Sequence, residues 1–125
     1  MESKKSFQTL KTRKDFLALQ RQGHRLYPTP WMIINFTENQ LGVLRVGWTI
    51  PRYVGNAVLR NKLKRWCREY FRQAVGSKKR INYDLNVVLR KRDKDFYRNI
   101  SYQEFCNGLE RAAKKVLRKY DAFHQ

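Results

Sequence analysis

The chain has 125 residues, of which 28 are Lys or Arg and 10 are Asp or Glu, for a formal net charge of +18. That length gives one domain, residues 1–125, with a real core, and so large a surplus of positive charge points to a polyanionic partner, nucleic acid before an anionic membrane. No unbroken apolar run exceeds the four residues of Trp31-Met32-Ile33-Ile34, far short of a membrane span, and the polar start M-E-S-K-K-S lacks the apolar segment of a secretory signal, so a cytoplasmic protein with no membrane partner is expected.

Residues 1 to 11 are polar and basic and are expected to be loosely held, with Phe7 and Leu10 available as anchors. Thr12 offers an N-cap with Asp15 three residues on, which predicts a helix over Arg13 to Gln22 stopped by Gly23. Phe16 and Leu17 lie about 100° apart on that helix, so one of them faces away from a single core stripe. An exposed Phe in a basic protein is a stacking platform for an unpaired base, unless it makes a second core contact. Tyr27-Pro28-Thr29-Pro30 is turn or edge chemistry. A strand follows from Trp31 to Phe36, with Trp31 and Ile33 opposite Met32, Ile34 and Phe36. The polar run Thr37 to Gln40 reads as a hairpin connection into a second strand, Leu41 to Ile50. Here Leu44, Val46, Trp48 and Ile50 alternate with a quieter face of Val43, Arg45, Gly47 and Thr49.

Pro51 ends that strand, Gly55 permits a turn, and Asn56 is placed to cap a long helix from Ala57 to about Val75, where Gly76 and Ser77 break it. Leu59, Leu63, Trp66 and Tyr70 form its apolar stripe; Val58 and Phe71 fall off the stripe and Cys67 sits at its edge. Arg60, Lys64, Arg68 and Arg72 recur every four residues on the other side, with Asn61 and Arg65 between them and Glu69 as the one acid. Three like-charge i,i+4 pairs oppose the helix by about 1 kcal/mol in total if nothing anionic answers them. A structural helix surface would interleave Glu, whereas a row of cations without it suits successive phosphates. Lys78-Lys79-Arg80 reads as a solvated basic loop. Tyr83 to Arg90, with β-branched Val87 and Val88, is a strand. Ser101 and Glu104 form a capping box for the last helix, Ile100 and Phe105 a hydrophobic staple, and Phe105, Leu109, Ala112, Val116 and Tyr120 its stripe.

Chemistry-bearing clusters are sparse. Cys67 and Cys106 have no CxxC spacing and read as small buried hydrophobes in a reducing compartment, and His24 and His124 flank no ligand pattern, so no metal site is expected. Only Asp93 and Asp95 are close among the carboxylates, in a basic loop where charge balance explains them, so no catalytic residue is assigned.

The order helix, strands, helix, strand, helix predicts a two-layer α/β sandwich of about four strands and three helices, with a βαβ crossover that strand twist alone would make right-handed. At Gly55-Asn56-Ala57-Val58-x-Arg60-Asn61-Lys62-x-Lys64-Arg65-x-x-Arg68-Glu69 the chain resembles the protein subunit of bacterial ribonuclease P, whose signature is a basic helix of this pattern after a Gly-containing turn. Asp15-Phe16 with Gly23, Arg45-Val46-Gly47 and Tyr83-Asp84-Leu85 extend the likeness over about Leu10 to Tyr120.

The resemblance implies a ribonucleoprotein that removes the 5′ leader of precursor tRNA, with catalysis carried by a partner RNA and its Mg²⁺ and the protein alone inactive. It implies a left-handed crossover, and no obligate protein partner. It places Arg52, Asn56, Arg60, Asn61, Lys62, Lys64, Arg65, Arg68 and Arg72 against the RNA subunit. It places Phe16, Gln20, Met32 and Ile34 in a leader cleft between the first helix and the sheet. Three departures stand out. Lys62 replaces the second Arg of the signature and loses its fork geometry, Tyr53 stands where relatives commonly have a lysine, and Gln20 and Ile34 lack the rings relatives often carry. Two other functions fit a basic chain: a self-sufficient metal-dependent nuclease, for which the carboxylates are too scattered, and a ribosomal or chaperone RNA binder, against which the R-N-K-x-K-R spacing argues.

Overall fold

A computed structural model describes residues 7–75 and 82–123. Lys78, Lys79, Arg80 and His124 lie outside the described residues, as does the side chain of Tyr120. The elements run β1 (Phe7–Thr9), α1 (Arg13–Gln22), β2 (His24–Thr29), β3 (Met32–Glu38), β4 (Leu44–Thr49), a 3-10 turn (Arg52–Val54), α2 (Ala57–Val75), β5 (Tyr83–Leu89), α3 (Phe96–Asn99) and α4 (Tyr102–Phe123). The α/β class holds, with five strands in the order β1-β4-β5-β3-β2 rather than about four.

The local capping signals do what their chemistry requires. Thr12 Oγ1 accepts from Asp15 N–H at 3.1 Å to start α1. Ser101 Oγ accepts from Glu104 N–H at 3.0 Å while Glu104 Oε1 accepts from Ser101 N–H at 3.2 Å, the reciprocal capping box. Gly23 closes α1 in extended rather than left-handed backbone. It is required by space, since a Cβ there would stand 2.5 Å from the Leu19 carbonyl oxygen.

Two expectations fail, for related reasons. Residues 7 to 10 are not loose: Phe7 and Leu10 are buried, and β1 pairs in parallel with β4. The expected hairpin from the first strand into β4 does not form, because β5 lies between β3 and β4, antiparallel to one and parallel to the other. A strand buried along nearly its whole length, as β5 is from Tyr83 to Leu89, sits at the centre of a sheet rather than at its edge. The residues after β3 instead form a loop that Asn39 ties down, its Nδ2 donating to Val43 O at 3.0 Å and to Asp84 Oδ1 at 2.8 Å.

One face of the sheet carries the core. Met32, Ile34, Phe36, Val46, Leu85, Val87 and Leu89 pack there against Leu63, Cys67, Tyr70 and Phe71 of α2 and Phe105, Leu109, Ala112 and Val116 of α4. The apolar stripe of α2 is thus centred nearer Cys67 than expected, and Phe71 is buried against the ring of Phe7, one of the two N-terminal anchors, at 6.1 Å. Toward α4, Trp66 meets Tyr102 at 5.3 Å and Phe105 at 5.5 Å, and Tyr70 Oη donates to Glu110 Oε1 at 2.6 Å. Gly108 lets α4 sit close, where a Cβ would come 3.0 Å from the Trp31 ring.

Parallel β4 and β5 are joined through α2, and their chirality follows from one residue. The Val46 side chain is in the core under α2, while its carbonyl accepts from Leu10 N–H at 2.9 Å, on the β1 side. For an L-residue on an upward strand with its side chain toward the viewer, N–H and C=O point right; β1 is therefore right of β4 and β5 left of it. A chain passing from β4 through a helix in front to a strand on the left makes a left-handed crossover, the rare hand and the one the resemblance implies.

Candidate nucleic-acid interface

Two surfaces answer the excess charge, one on each side of the sheet. The first is the outward arc of α2. Its start is fixed by Asn56, whose Oδ1 accepts from Leu59 N–H at 2.9 Å, leaving the Asn56 amide donors without a described partner. Gly55 stands one residue before, where a Cβ would meet Leu59 Cδ2 at 2.5 Å. Arg60 turns back so that its Nε donates to Gly55 O at 3.1 Å, which pins this guanidinium beside the turn. Asn61, Arg65, Arg68 and Arg72 are exposed and Lys64 half-buried along the same arc, and Arg68 lies over the Trp48 ring at 5.7 Å. The arc points away from α4, because Trp66 and Tyr70 occupy the opposite side of the helix. Lys62 sits apart from the row, its ammonium 4.9 Å from the Trp66 ring centre, and Arg52 is exposed in the 3-10 turn. The helix therefore brings Arg60, Asn61, Lys64, Arg65, Arg68 and Arg72 onto one surface, with Arg52, Asn56 and Lys62 at its border.

The second surface is a groove of about 390 Å³ between α1 and the other face of the sheet. Strand register sets its floor as successive rungs. Arg45 pairs with Asp84, then Gly47 with Asn86 and Asn86 with Asn35, then Thr49 with Val88 and Val88 with Ile33. The first rung is closed by ion pairs: Arg45 donates to Asp84 through Nε at 2.8 Å and Nη2 at 2.6 Å, and reaches Asp15 of α1 at 3.5 Å. Hydrogen bonding to Asp84 raises the Arg45 guanidinium above its ordinary value. This bridge holds α1 over the sheet. The Phe16 ring then lies on Gly47, whose missing side chain makes the room: a Cβ would stand 2.5 Å from the ring. Beyond it the groove opens, with Arg13, Phe16, Leu17 and Gln20 as one wall and Arg25, Ile33, Asn35, Thr49, Asn86 and Val88 as floor and rim. Asn86 Nδ2 donates to Thr49 Oγ1 at 3.1 Å, whereas the Asn35 amide, in a residue only 8 % exposed, engages no described side chain or backbone group.

Phe16 and Gln20 thus line the groove as expected from the resemblance. Met32 and Ile34 do not. Both are fully buried on the core face, because β3 presents its odd-numbered residues to α1 and its even-numbered ones to α2 and α4. The residues that replace them are Ile33 and Asn35. The signal was present in the polar or small residues that share one face, Arg45 and Gly47 on β4, Asn86 on β5 beside it and Asn35 on β3 beyond, which is the composition of a wetted floor rather than of a core.

The remaining polar chemistry is structural. Burial pushes the Cys67 thiol up, and no helix among the described residues is long and apolar enough to cross a membrane. Among the described residues no three His, Cys, Asp or Glu side chains come together to hold a metal ion.

A sequence model of the ribonuclease P family matches residues 5–117. The ribonuclease P protein component of Thermotoga petrophila is 33 % identical over 107 residues, covering 86 % of this chain and 90 % of that one. That of Desulforapulum autotrophicum is 32 % identical over 109 residues, covering 85 % and 86 %. Among solved structures, the ribonuclease P protein of Thermotoga maritima superposes with a TM-score of 0.75 at 30 % identity, over 86 % of this chain and 96 % of that one. The Staphylococcus aureus protein superposes with a TM-score of 0.74 at 26 % identity, over 86 % and 94 %. The basic helix, the Gly47-seated Phe16 and the groove are thus carried by a member of the bacterial ribonuclease P protein family, to which this chain belongs.

Proposed function

We propose that residues 1–125 act in the cytoplasm as one RNA-binding domain that docks α2 on the ribonuclease P RNA and receives the 5′ leader of precursor tRNA in the groove under α1. As a family member the chain serves tRNA 5′ maturation, as the protein component of an endoribonuclease. The observation that carries the docking assignment is charge on one element: six Lys or Arg and one acid over the 19 residues of α2, with five of the six cations on the arc that packing leaves outward. Arg60, Asn61, Lys64, Arg65, Arg68 and Arg72 meet the RNA subunit, with Arg52, Asn56 and Lys62 at the border of the contact. In the groove, Phe16 offers a ring face to a base, and Gln20, Asn35 and Thr49 offer hydrogen bonds to base edges or sugar hydroxyls. Arg13 and Arg25 on the rim meet its phosphates.

Ribonuclease P needs metal ions, and we assign Mg²⁺, held mainly by the RNA subunit. Such ions activate water and stabilise the leaving oxygen of a phosphodiester. Among the described residues the carboxylates that flank the groove, Asp15 and Asp84, are both engaged by Arg45 and so are poorly disposed to hold an ion. The protein's part is then to bind, orient and neutralise. No obligate protein partner is invoked.

The test is cleavage of a precursor tRNA at low Mg²⁺ with a bacterial ribonuclease P RNA, with this protein, and with both. Cleavage at the mature 5′ end only in the mixture is the expected result. Cleavage by the protein alone would overturn the non-catalytic assignment. No rescue with RNA binding intact would favour a ribosomal or chaperone role.

A further inference from the structure

Val58 is the most exposed large hydrophobic side chain described, at 79 %, and it fits neither the buried stripe of α2 nor its basic row. It lies on the rim of a notch of about 520 Å³ between the start of α2 and the turn that carries α3, on the flank of the helix marked by Lys62. Across the notch stand Arg92, Lys94 and Arg98, and Tyr53 forms its near wall. The four cations face Asp93 and Asp95, and one carboxylate is already matched, Asp95 to Arg98 at 3.3 Å. The notch therefore keeps a positive surplus. Tyr53 is 53 % exposed, yet its hydroxyl donates to Leu89 O at 3.3 Å, so the ring is held in place while much of its surface meets solvent.

We propose that this notch takes one unstacked nucleotide of the RNA subunit, its base against the Tyr53 ring and Val58 and its flanking phosphates on Lys62, Lys94 and Arg98. The chemistry selects this occupant. A ring already restrained by its hydroxyl loses little freedom on stacking, stacking is tolerant of base identity, and cations line the same notch as the apolar spot, where they can meet the phosphates that flank a base. A folded RNA offers such bases at bulges and loops, where their faces are free. The notch adjoins the start of α2, so a single RNA partner spans both. The inference rests on the assignment of α2 to the RNA subunit, and its test separates the two.

Affinity for a ribonuclease P RNA transcript is measured by filter binding across a salt series, first without and then with precursor tRNA, for the whole chain and four variants. Tyr53→Ala is expected to weaken binding by about tenfold with the salt slope unchanged, and Tyr53→Trp to restore it, as a stacked base requires. Lys94→Ala with Arg98→Ala is expected to lower the salt slope by about 1 to 2. Chemical probing of the bound RNA should show an unpaired nucleotide protected by the unmodified protein and exposed with Tyr53→Ala. Equal thermal melting of the variants establishes that they fold. Wild-type affinity and protection in both notch variants, with Arg60→Ala, Lys64→Ala and Arg68→Ala together still weakened, would overturn the notch and leave the helix assignment standing. If the triple variant also binds like the wild type, the helix assignment fails as well. An effect that appears only when precursor tRNA is added would overturn the proposal by assigning the notch to the substrate.

Discussion

Replacing Gly47 by Ala tests how the groove is built. An added Cβ would stand 2.5 and 2.6 Å from two atoms of the Phe16 ring and 3.1 Å from Leu10 Cβ. The ring must leave its seat, and Leu10, which is only 3 % exposed, cannot yield freely. Overpacking of this kind costs roughly 1–3 kcal/mol. Against it stands a gain of about 0.5–1 kcal/mol for removing a glycine from a strand interior. The net expectation for Gly47→Ala is a loss of about 1–2 kcal/mol, read by urea denaturation at constant slope. The decisive comparison is a cycle with Phe16→Ala. Once the ring is gone only the tight approach to Leu10 Cβ at 3.1 Å remains, so Gly47→Ala on that background should cost much less, giving a coupling of about 1–2 kcal/mol. An equal loss in both backgrounds would show that Phe16 does not rest on Gly47, and the account of the groove wall would fall with it.

Phe16→Ala should weaken precursor tRNA binding more than mature tRNA binding; equal losses would remove Phe16 from the leader site. Arg60→Ala, Lys64→Ala and Arg68→Ala together should weaken binding to the RNA subunit and reduce the salt slope by about 2–3, and an unchanged slope would mean that the row meets no phosphates. Thiol labelling of the folded protein should modify Cys106 slowly and leave Cys67 untouched, since burial raises both thiols and Cys67 is fully enclosed; rapid loss of both would contradict the packing of α2 on the sheet. Alkaline stability gives a further check. Burial, chiefly, raises the Tyr70 and Tyr97 hydroxyls, so their protonated forms favour the fold up to the ordinary tyrosine value of about 10, and stability should fall as pH rises beyond it. Tyr70→Phe should reduce that fall, and an identical alkaline profile would remove Tyr70 as its source.

Signals confined to neighbouring residues were legible in the sequence. The capping pairs Thr12–Asp15 and Ser101–Glu104, the Asn56 cap, the limits of α1 and the start of α2 need only a few adjacent side chains, and each forms as its chemistry dictates. Signals that depend on a distant partner were not. Phe7 and Leu10 stand out as anchors in a polar tail, but what they anchor to is not legible until β4 supplies an edge to pair with, and Phe71 looks misplaced on α2 until Phe7 arrives beneath it. The exchange of Met32 and Ile34 for Ile33 and Asn35 has the same origin. Both faces of β3 are partly apolar, so alternation divides its residues into two sets without telling which set meets α1. Asn35 settles it only once its register with Asn86 and Gly47 is known.

The left-handed crossover gives that register its use. Because β5 lies on the far side of β4 from β1, α2 can cover the β1 and β4 half of the core face while α4 covers β3 and β2, and both helices fall on one side. The opposite face is then left to α1 alone, ten residues long and held at one end by the bridge from Asp15 through Arg45 to Asp84. One short helix cannot cover five strands, so the rungs beyond that bridge stay open as a groove. Meanwhile α2, backed by the sheet on one side and by α4 on another, keeps its basic arc outward. The two surfaces are separate consequences of a single topology. A substitution that loosens the Asp15–Arg45–Asp84 bridge should therefore change the groove before it changes the α2 arc. For Arg45→Ala this means a larger loss for precursor tRNA than for the RNA subunit, and the reverse order would show that the two surfaces do not divide in this way.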